Sequence, residues 1–598
     1  MAKVQFKTYT PNEIVLFPSN LGERIPKDHP VRLLSRIVDG LDLTELIRTY
    51  KSGGTTPFHP RMLLKVVFYA YMNNIYSCRK IEDAMNWNIQ YMWLSGNQHP
   101  SFSTINRFRS EHMKDCVNSL FIQVVKIMVA LGQVSLAVQY IDGTKIESVA
   151  NKYTFVWKKA TLTNKTKLEE KIKSVLKQID EGIAQDNAPS KEEGTMTDAI
   201  DSEHLQQLID KVNEENSRLA QGSKEDKEKA RQRQKAVNKL QKHQEKLKEY
   251  EDKLDTMGFR NSYSKTDPDA TFMRMKEDAM NNGQTKPGYN LQTGTENQYI
   301  TNFAFYWNPT DSTPLPSFLT LDQTRWGKLP KEVCADSGYG SEQNYEFMEN
   351  NGIEAYVKYN WFHKEQHRPF RNDPFRMENM YYNWKDDYYV CPMGQHMEHV
   401  GHKKSVSDNG YASWIDTYRA QRCEGCPLRG QCFKGKGNRT INVNHQLKRY
   451  KKKAFERLTS ERGLFHRSKR PVEPEAVFGQ IKTDKQYKRF RHRGFPKIQM
   501  DFGILAMAFN LQKLIKNVGK DQIKAVMEAF STLFGPLLAS LWTLWGKFQK
   551  EETSVNKTVT LLLCHSLPLL TCTILVFGSF LLRTLTVVTT ACARFKKA

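Results

Sequence analysis

Residues 138–144 read Val-Gln-Tyr-Ile-Asp-Gly-Thr, and they decide the fold that we predict for this chain. The run alternates well enough for a β-strand that ends at Asp142, before a glycine that suits a turn. Residues 333–340, Val-Cys-Ala-Asp-Ser-Gly-Tyr-Gly, repeat the arrangement around Asp336. Each segment therefore predicts a strand of an α/β sheet with one carboxylate at its end.

A third carboxylate lies in residues 472–482, which begin Val-Glu-Pro-Glu-Ala-Val-Phe. Proline suits the first position of a helix, so Pro474 predicts that Glu475 lies in the first helical turn. Phe478 would pack the same face on the sheet and present Glu475 beside the aspartates. Glu473 is the alternative third carboxylate, or else a partner of the helix dipole.

Two strand-end aspartates and a helical glutamate are hard oxygen ligands that suit a pair of divalent cations. Such a pair activates water or a 3′-hydroxyl and stabilises the leaving oxygen in phosphodiester chemistry. An aspartate before glycine is also a common turn residue, so one segment alone decides nothing. Together the segments predict a catalytic, Mg²⁺-binding set of Asp142, Asp336 and Glu475.

The charge of the chain favours a polyanionic partner. Its 598 residues carry a formal net charge of +24, and nucleic acid is the first candidate. Basic runs at residues 448–453 and 488–493 bracket Glu475 and predict a track for the DNA backbone, although one such run is usually a solvated helix face. The predicted DNA-binding residues around the site are Lys451, Lys452, Arg470, Lys482, Lys488, Arg489 and Arg491.

Residues 1–133 predict a helical N-terminal DNA-binding domain. Within it, residues 100–109 predict a turn and a capped helix that carries Asn106, Arg107 and Arg109. A helix-turn-helix places such residues against base edges in the major groove. An ordinary helical domain with an exposed polar helix is the alternative.

Residues 134–515 alternate strands and helices, which predicts an α/β catalytic core with two insertions. The first insertion, residues 160–256, has apolar residues at helical spacing and predicts two long helices in an antiparallel coiled-coil hairpin. A partly disordered charged linker is the alternative. The pattern does not decide whether the insertion serves dimerisation or extends the protein towards DNA. Residues 152–157 are predicted to form a hairpin with the strand of Asp142.

The second insertion, residues 388–440, is rich in cysteine. Cys391, Cys423, Cys426 and Cys432 include a C-x₂-C pair and predict a structural Zn²⁺ site. A reduced thiol cluster without metal is the alternative.

Compartment and anchoring are read from the two ends of the chain. The N-terminus lacks an apolar signal-peptide core and the ten cysteines show no disulfide pattern, which predicts a cytoplasmic, nucleoid-associated protein. The C-terminal tail, residues 516–598, has no predicted role. The second of its uncharged segments 529–546 and 559–582 is long enough to span a bilayer. A membrane partner is nevertheless not expected, and core helices or sequence gained by read-through explain these segments as well as an anchor does.

The chain resembles bacterial insertion-sequence transposases of the DDE superfamily over residues 1 to about 515. The resemblance rests on the Asp142 strand together with residues 266–270, 288–290, 335–339 and 475–482. It implies an RNase-H-like core, two Mg²⁺ ions with Mn²⁺ as a substitute, and cleavage and strand transfer at the inverted-repeat ends of the element. The implied partners are double-stranded DNA, both ends and target, and a second copy of the chain in a homodimer.

A related signature places Tyr, Arg, Glu and Lys along one helix. Lys482 fits its offset from Glu475, whereas Pro471 and Ser468 stand at the Arg and Tyr offsets, so Arg470 or Arg467 would have to substitute. Two other functions stay open: an RNase-H-like nuclease without strand transfer, and a non-catalytic DNA-binding regulator derived from a transposase.

Overall fold

The computed structural model describes residues 20–51, 56–184, 201–221, 223–275, 283–407 and 409–518. The α-helices are α1 (Pro30–Asp39), α2 (Thr44–Arg48), α3 (Pro60–Met72), α4 (Cys78–Trp87), α5 (Ile89–Ser95), α6 (Phe102–Arg107), α7 (Lys114–Ala130), α8 (Lys158–Ala184), α9 (Ser202–Leu219), α10 (Lys224–Met257), α11 (Leu315–Trp326), α12 (Glu342–Asn350), α13 (Arg368–Arg371), α14 (Arg429–Cys432), α15 (His445–Thr459), α16 (Glu461–Lys469), α17 (Ala476–Gly479) and α18 (Phe495–Asn517). The strands are β1 (Val138–Glu147), β2 (Phe155–Trp157), β3 (Ser262–Ser264), β4 (Thr271–Arg274), β5 (Thr285–Glu296), β6 (Tyr299–Tyr306), β7 (Glu332–Ala335), β8 (Glu354–Val357), β9 (Tyr382–Asn383), β10 (Tyr388–Val390), β11 (His396–Val406), β12 (Ala412–Ala420) and β13 (Thr440–Val443).

The N-terminal region is helical, as predicted. Helix α3 is buried along most of its length because it packs against α1, α5 and α18. Helix α7 also packs on α18, and a π-helical turn, Phe108–Met113, joins it to α6. The N-terminal helices therefore share a core with the last described helix of the chain.

A mixed sheet forms the centre of the molecule, with strand order β4-β5-β1-β7-β8 and β6 paired along β5. Strand β1 is antiparallel to β5 and parallel to β7, which is parallel to β8. Because β1 lies in the middle and is covered on both faces, its residues are almost all buried. Helices α11, α12 and α15 contribute to the same core. This mixed α/β arrangement fits the core that the resemblance implies.

Two predictions about β1 are wrong. Asp142 does not end the strand, which continues through Gly143 to Glu147, so Gly143 is not a turn residue. The predicted hairpin partner at residues 152–157 forms β2, which pairs with β3 instead. The antiparallel partner of β1 is β5, more than a hundred residues further along the chain.

The first insertion also differs from the prediction. Its described residues form three helices instead of two, and α10 packs along both α8 and α9. The predicted apolar residues do form its core, for example Ile172 of α8 and Leu240 of α10, which Leu205 of α9 joins. Helix α9, which begins at Ser202, is the helix that was not predicted.

The second insertion is an antiparallel sheet with strand order β13-β12-β11-β10-β9. It leads directly into α15 and α16, and so to the third predicted carboxylate. Among the described helices, none combines the length and the apolar character needed to cross a membrane. The uncharged segments 529–546 and 559–582 lie outside the described residues.

Candidate active site

Three carboxylates converge on one guanidinium beside the central sheet. Arg470 Nη1 lies 2.6 Å from Glu475 Oε1, and Arg470 Nη2 lies 3.5 Å from Asp142 Oδ2 and 3.5 Å from Asp336 Oδ2. We call these four side chains the carboxylate cluster. Asp142 and Arg470 are buried, whereas about half of the Asp336 and Glu475 side chains is exposed, so the cluster opens to solvent on one side.

The parallel pairing of β1 and β7 explains why the two aspartates meet. Ile141 of β1 pairs with Ala335 of β7, and the next residue of each segment is the aspartate, Asp142 or Asp336. The backbone N–H of Gly143 donates to Asp142 Oδ1 at 2.9 Å, which fixes one oxygen of this carboxylate. Lys358 Nζ lies 4.0 Å from Asp336 Oδ1 on the open side.

The glutamate arrives on a long helical path that contains a π-helical turn. The path begins at Glu461, where the Ser460 hydroxyl accepts from the third residue of α16, and Pro471–Glu475 form the π turn. Glu475 is therefore deep inside a helical segment, and the prediction that it lies in a first turn is wrong. Pro474 is tolerated there because the π turn already interrupts the regular α-helical hydrogen bonds.

The π turn also determines which arginine faces the glutamate. Hydrogen bonds in a π-helix span five residues, so side chains five apart come close. Arg470 and Glu475 are separated by five residues and form the shortest ion pair of the cluster. With one extra residue in the turn, Arg470 takes the place that regular helical spacing assigns to Pro471. Arg470 was predicted to bind DNA; its side chain is buried among the carboxylates, and a contact with DNA stays a prediction.

The same geometry separates the two candidate glutamates. Glu473 is buried, and its Oε2 accepts the backbone N–H of Gln298 at 2.7 Å, away from the cluster. Burial raises the pKa of Glu473.

Burial lowers the pKa of Arg470, but Asp142, Asp336 and Glu475 outweigh that effect and raise the pKa of Arg470 above its ordinary value, so Arg470 stays charged.

A buried polar network behind the aspartates was not predicted. The Tyr339 hydroxyl donates to Gln292 Oε1, and Gln292 Nε2 donates to Asp311 Oδ1 at 2.8 Å. A Cβ atom at Gly143 would lie 2.3 Å from Gln292 Nε2 and 2.4 Å from Asp311 Oδ1, so any larger residue next to Asp142 would displace these two side chains. Burial raises the pKa of Tyr339, and Asp311 and Asp142 raise it further. The glycine after Asp142 was the available signal for this network.

The donor set fits a divalent cation in its chemistry. Asp142, Asp336 and Glu475 offer only carboxylate oxygens, and they already surround a positive charge, that of Arg470. Within the described ranges, no group of three or more His, Cys, Asp or Glu side chains is arranged as a metal site. Cation binding would therefore require the carboxylates to close around the ion in place of the guanidinium.

One predicted DNA-binding residue of the N-terminal region is buried. Arg109 is 1 % exposed, and its Nη2 forms an ion pair of 2.6 Å with Asp501 of α18. Its Nη1 donates to the carbonyl oxygen of Tyr76 at 2.9 Å. Arg109 therefore stabilises the packing of the N-terminal helices on α18, and its predicted DNA contact is corrected. Asn106 and Arg107, on the preceding helix, are exposed.

The other predicted DNA-binding residues are accessible to different degrees. Lys452, Lys488 and Arg491 are exposed, whereas Lys451 and Lys482 are partly buried. Arg489 is exposed as well, but its guanidinium donates to the carbonyl oxygens of Ser148 and Ala150, just after β1. These contacts fasten the second basic run to the end of the central strand.

The four predicted zinc ligands line one small cavity in the second insertion. Cys391, Cys423, Cys426 and Cys432 are free thiols. Arg439 reaches into the group: its Nη1 donates to Cys432 Sγ at 2.8 Å, and its backbone N–H donates to Cys423 Sγ at 3.2 Å. The structure thus brings the predicted residues together without a metal-like arrangement of their sulfur atoms.

Comparisons with known families match two segments of the chain. A family model described as "Transposase DDE domain" matches residues 390–515, which include Arg470 and Glu475. A second, described as "Transposase domain (DUF772)", matches residues 19–111 of the N-terminal helical region. No curated protein and no solved structure matches the chain.

Proposed function

Because the chain belongs to the insertion-sequence transposases of the DDE superfamily, we propose that it cuts DNA at the ends of its own element and joins them to target DNA. The observation that carries this proposal is the convergence of Asp142, Asp336 and Glu475 on one cation, Arg470. Carboxylates from two parallel strands and one helix, open to solvent on one side, suit a substrate as large as duplex DNA.

Asp142, Asp336 and Glu475 would hold two Mg²⁺ ions, with Mn²⁺ as a substitute. When bound, such ions supply charge stabilisation for the attacking and leaving oxygens of a phosphodiester. Asp142 is the most rigid of the three, since it is buried and accepts the N–H of Gly143. Arg470 holds the carboxylates together by charge, and beside a phosphodiester its N–H groups suit the anionic oxygens.

The exposed basic residues would hold the DNA backbone on either side of the cluster. Lys452 lies on α15, before the cluster, and Lys488 and Arg491 follow it. Phosphate contacts of this kind position DNA without reading its sequence, and Asn106 and Arg107 are the candidates for base contacts. Two element ends must be held together before joining, which implies a homodimer in the active complex and a location on the nucleoid.

The test is cleavage and joining on the DNA that flanks the gene of this chain. We expect nicks at inverted repeats and joined products with Mg²⁺, none with EDTA, and loss of both in Glu475→Gln. Glu473→Gln is the matched control, because it removes a carboxylate of the same helical segment that points away from the cluster. Cleavage without joined products would favour a nuclease, and specific binding without any cleavage would favour a regulator.

We propose in addition that the second insertion binds one structural Zn²⁺ through its four cysteines. The support is that all four thiols line one cavity. Binding would displace Arg439 from Cys432, since both occupy the same space. Protein purified without chelator should contain about one zinc per chain, and Cys426→Ser should lower that content. A chain free of zinc would contradict the proposal.

A further inference from the structure

Positive charge is unevenly distributed over the first insertion, whose helices α8, α9 and α10 we call the arm. Residues 231–248 of α10 contain seven arginine and lysine residues but only one carboxylate, that of Glu245. At 3.6 residues per turn, five of these cations fall within about 80° of the helix circumference and extend over about 22 Å. We call this exposed row the basic stripe; it consists of Arg231, Lys235, Lys239, Lys242 and Lys246.

The basic stripe lies on the side of α10 that faces away from the core of the arm. Val237, Leu240 and Leu247 are fully buried on the opposite side of the helix. A row of cations that only keeps a helix soluble is usually interleaved with carboxylates three or four residues away. Nearer the base of α10 this happens, since Lys253 Nζ lies 2.6 Å from Glu249 Oε1. Within the described ranges none of the five stripe cations forms an ion pair, so their charge is available to a partner.

Helix α8 adds to this positive side of the arm. Lys171 of α8 is exposed and lies close enough to α10 to act on His243. Burial lowers the pKa of His243, and Lys239, Lys171 and Lys246 lower it further. Helix α9 has the opposite balance, with four carboxylates and two cations in Ser202–Leu219. The positive charge of the arm is therefore concentrated along α10 and the adjoining part of α8, which suits a polyanionic partner.

A groove of about 600 Å³ lies between α9 and α10 at the N-terminal end of α10. Lys224, Lys227 and Arg231 line it together with Asn216, so the groove is continuous with the basic stripe. Asn216 is 5 % exposed, yet among the described residues neither its Oδ1 nor its Nδ2 has a hydrogen-bond partner. Leaving a buried polar group unpaired costs about 1–3 kcal/mol. A phosphate oxygen in the groove would accept from Asn216 Nδ2 and lie among three cations.

The base of the arm is fastened to the end of β1, the strand that carries Asp142. The Ser148 hydroxyl, just after β1, donates to Asp267 Oδ2 at 2.6 Å, shortly after β3. Arg489 of the second basic run donates to the carbonyl oxygens of the same segment, those of Ser148 and Ala150. The arm and the predicted track for the DNA backbone therefore start from the same place.

We propose that the basic stripe and its groove bind the phosphate backbone of duplex DNA outside the segment held at the carboxylate cluster. The length of the stripe, about 22 Å, corresponds to about six base pairs at 3.4 Å each. Such contacts hold DNA without reading its sequence. The inference rests on the proposed function, which supplies the DNA. Two copies of a positive stripe would repel each other, so DNA suits this surface better than a second copy of the chain does.

The experiment measures the salt dependence of DNA binding in EDTA, so that it does not depend on cleavage. Full-length protein is titrated by fluorescence anisotropy over about 50–200 mM salt. The probes are two labelled duplexes of equal length, an element end with its flanking DNA and an unrelated sequence. The test variant replaces Lys235, Lys239 and Lys242 together by glutamine. A second variant replaces the same three residues by arginine, which keeps their charge.

The matched control removes the same charge from the arm at positions outside the stripe. It replaces by glutamine three exposed lysines that are scattered over α8 and α9: Lys159, Lys173 and Lys211. A further variant, Asn216→Leu, removes the amide in the groove and leaves every cation in place. Circular dichroism verifies that all variants keep the helical content of the wild type.

We expect the glutamine variant of the stripe to reduce the slope of log affinity against log salt by up to about 2.7 on both duplexes, since each phosphate contact contributes about 0.9. The arginine variant should keep the wild-type slope, and the control should lose less than one contact. Asn216→Leu should weaken binding by about 2- to 10-fold, and wild-type affinity in this variant would exclude the groove.

An unchanged slope in the glutamine variant, or an equal fall in the control, would overturn the proposal. A change of oligomeric state in the glutamine variant with an unchanged slope would overturn it in favour of a protein partner. Metal-dependent cleavage by the wild type without any effect of the stripe would remove the stripe alone. Binding that depends on the stripe, without cleavage, would remove the catalytic proposal alone. Absence of binding to either duplex would remove both.

Discussion

Replacing Arg109 by methionine should destabilise the protein, because it leaves a buried charge without its partner. Asp501 is fully buried, and it accepts from Arg109, from the Tyr487 hydroxyl at 2.7 Å and from the Tyr71 hydroxyl. Removing one partner of a buried ion pair typically costs about 3–5 kcal/mol. We therefore expect Arg109→Met to lower the free energy of unfolding by that amount.

Urea denaturation followed by circular dichroism measures this loss, with Arg107→Met as the control. Arg107 is exposed and two residues away, so its replacement should change stability by less than about 0.5 kcal/mol. In the double variant Arg109→Met/Asp501→Asn, no buried charge remains and the amide oxygen still accepts from both tyrosines. We expect it to regain at least half of the loss. Wild-type stability in Arg109→Met together with weakened DNA binding would refute the reasoning and restore Arg109 as a DNA contact.

The pH dependence of the same pair has a definite sign. Burial alone raises the pKa of Asp501, but Arg109, His492 and the tyrosine hydroxyls outweigh it and hold the pKa below the ordinary value of 3.8. The stability contributed by this group is therefore present above about pH 3.8 and is lost as the pH falls through the lower folded-state pKa. In Arg109→Met the largest opposing charge is gone, and only His492 and the tyrosine hydroxyls still oppose burial, so the pKa of Asp501 rises and its protonation becomes more favourable. The difference in the free energy of unfolding between the wild type and Arg109→Met, measured by the same urea denaturation, should therefore become smaller as the pH is lowered.

The remaining predictions concern the site and its DNA track. Gly143→Ala should lower the cleavage rate by about 10²-fold, because the new methyl group displaces the network behind the aspartates. Gly479→Ala is the control and should keep full activity, because a methyl group there meets nothing within 4 Å. A gel-based cleavage assay compares them, and an active Gly143→Ala protein would argue against the network. Neutralising Lys488, Arg489 and Arg491 together should reduce the slope of log affinity against log salt by up to about 2.7, since each phosphate contact contributes about 0.9. An unchanged slope would exclude these residues from the track.

The strands that carry the aspartates could be predicted because their signals are local. An apolar run that alternates over five or six residues predicts a strand. The observed register, Ile141 opposite Ala335, then places Asp142 and Asp336 together without further information. The pairing of residues 152–157 could not be predicted in the same way, because proximity along the chain does not decide which strands share a sheet.

The predictions for Arg109 and Gly143 were wrong because each residue contacts side chains that are far away in the sequence. Arg109 follows a polar helical segment and looks like a surface residue, yet its partner Asp501 lies 392 residues further along the chain. Gly143 looks like a turn, yet the space above it is filled by Gln292 and Asp311. The sequence pattern alone shows neither of these contacts. An arginine on the apolar side of a helix and a glycine inside a strand do, however, each indicate that a close contact exists.

The π turn explains why the helical signature was only partly recognisable in the sequence. Offsets along a helix assume 3.6 residues per turn, and under that assumption Pro471, not Arg470, faces Glu475. A π turn adds one residue without breaking the helix, so the side chain that meets Glu475 shifts to Arg470. Lys482, on the other side, lies in a second π turn, Gln480–Asp484. Two prolines within the turn mark the place, because each removes an N–H that a regular α-helix would need. When the arginine of the signature is displaced by one residue beside two prolines, a change of helix type therefore explains it better than the loss of a functional side chain. The ion pair of 2.6 Å between Arg470 and Glu475 is the contact that this change of helix type preserves.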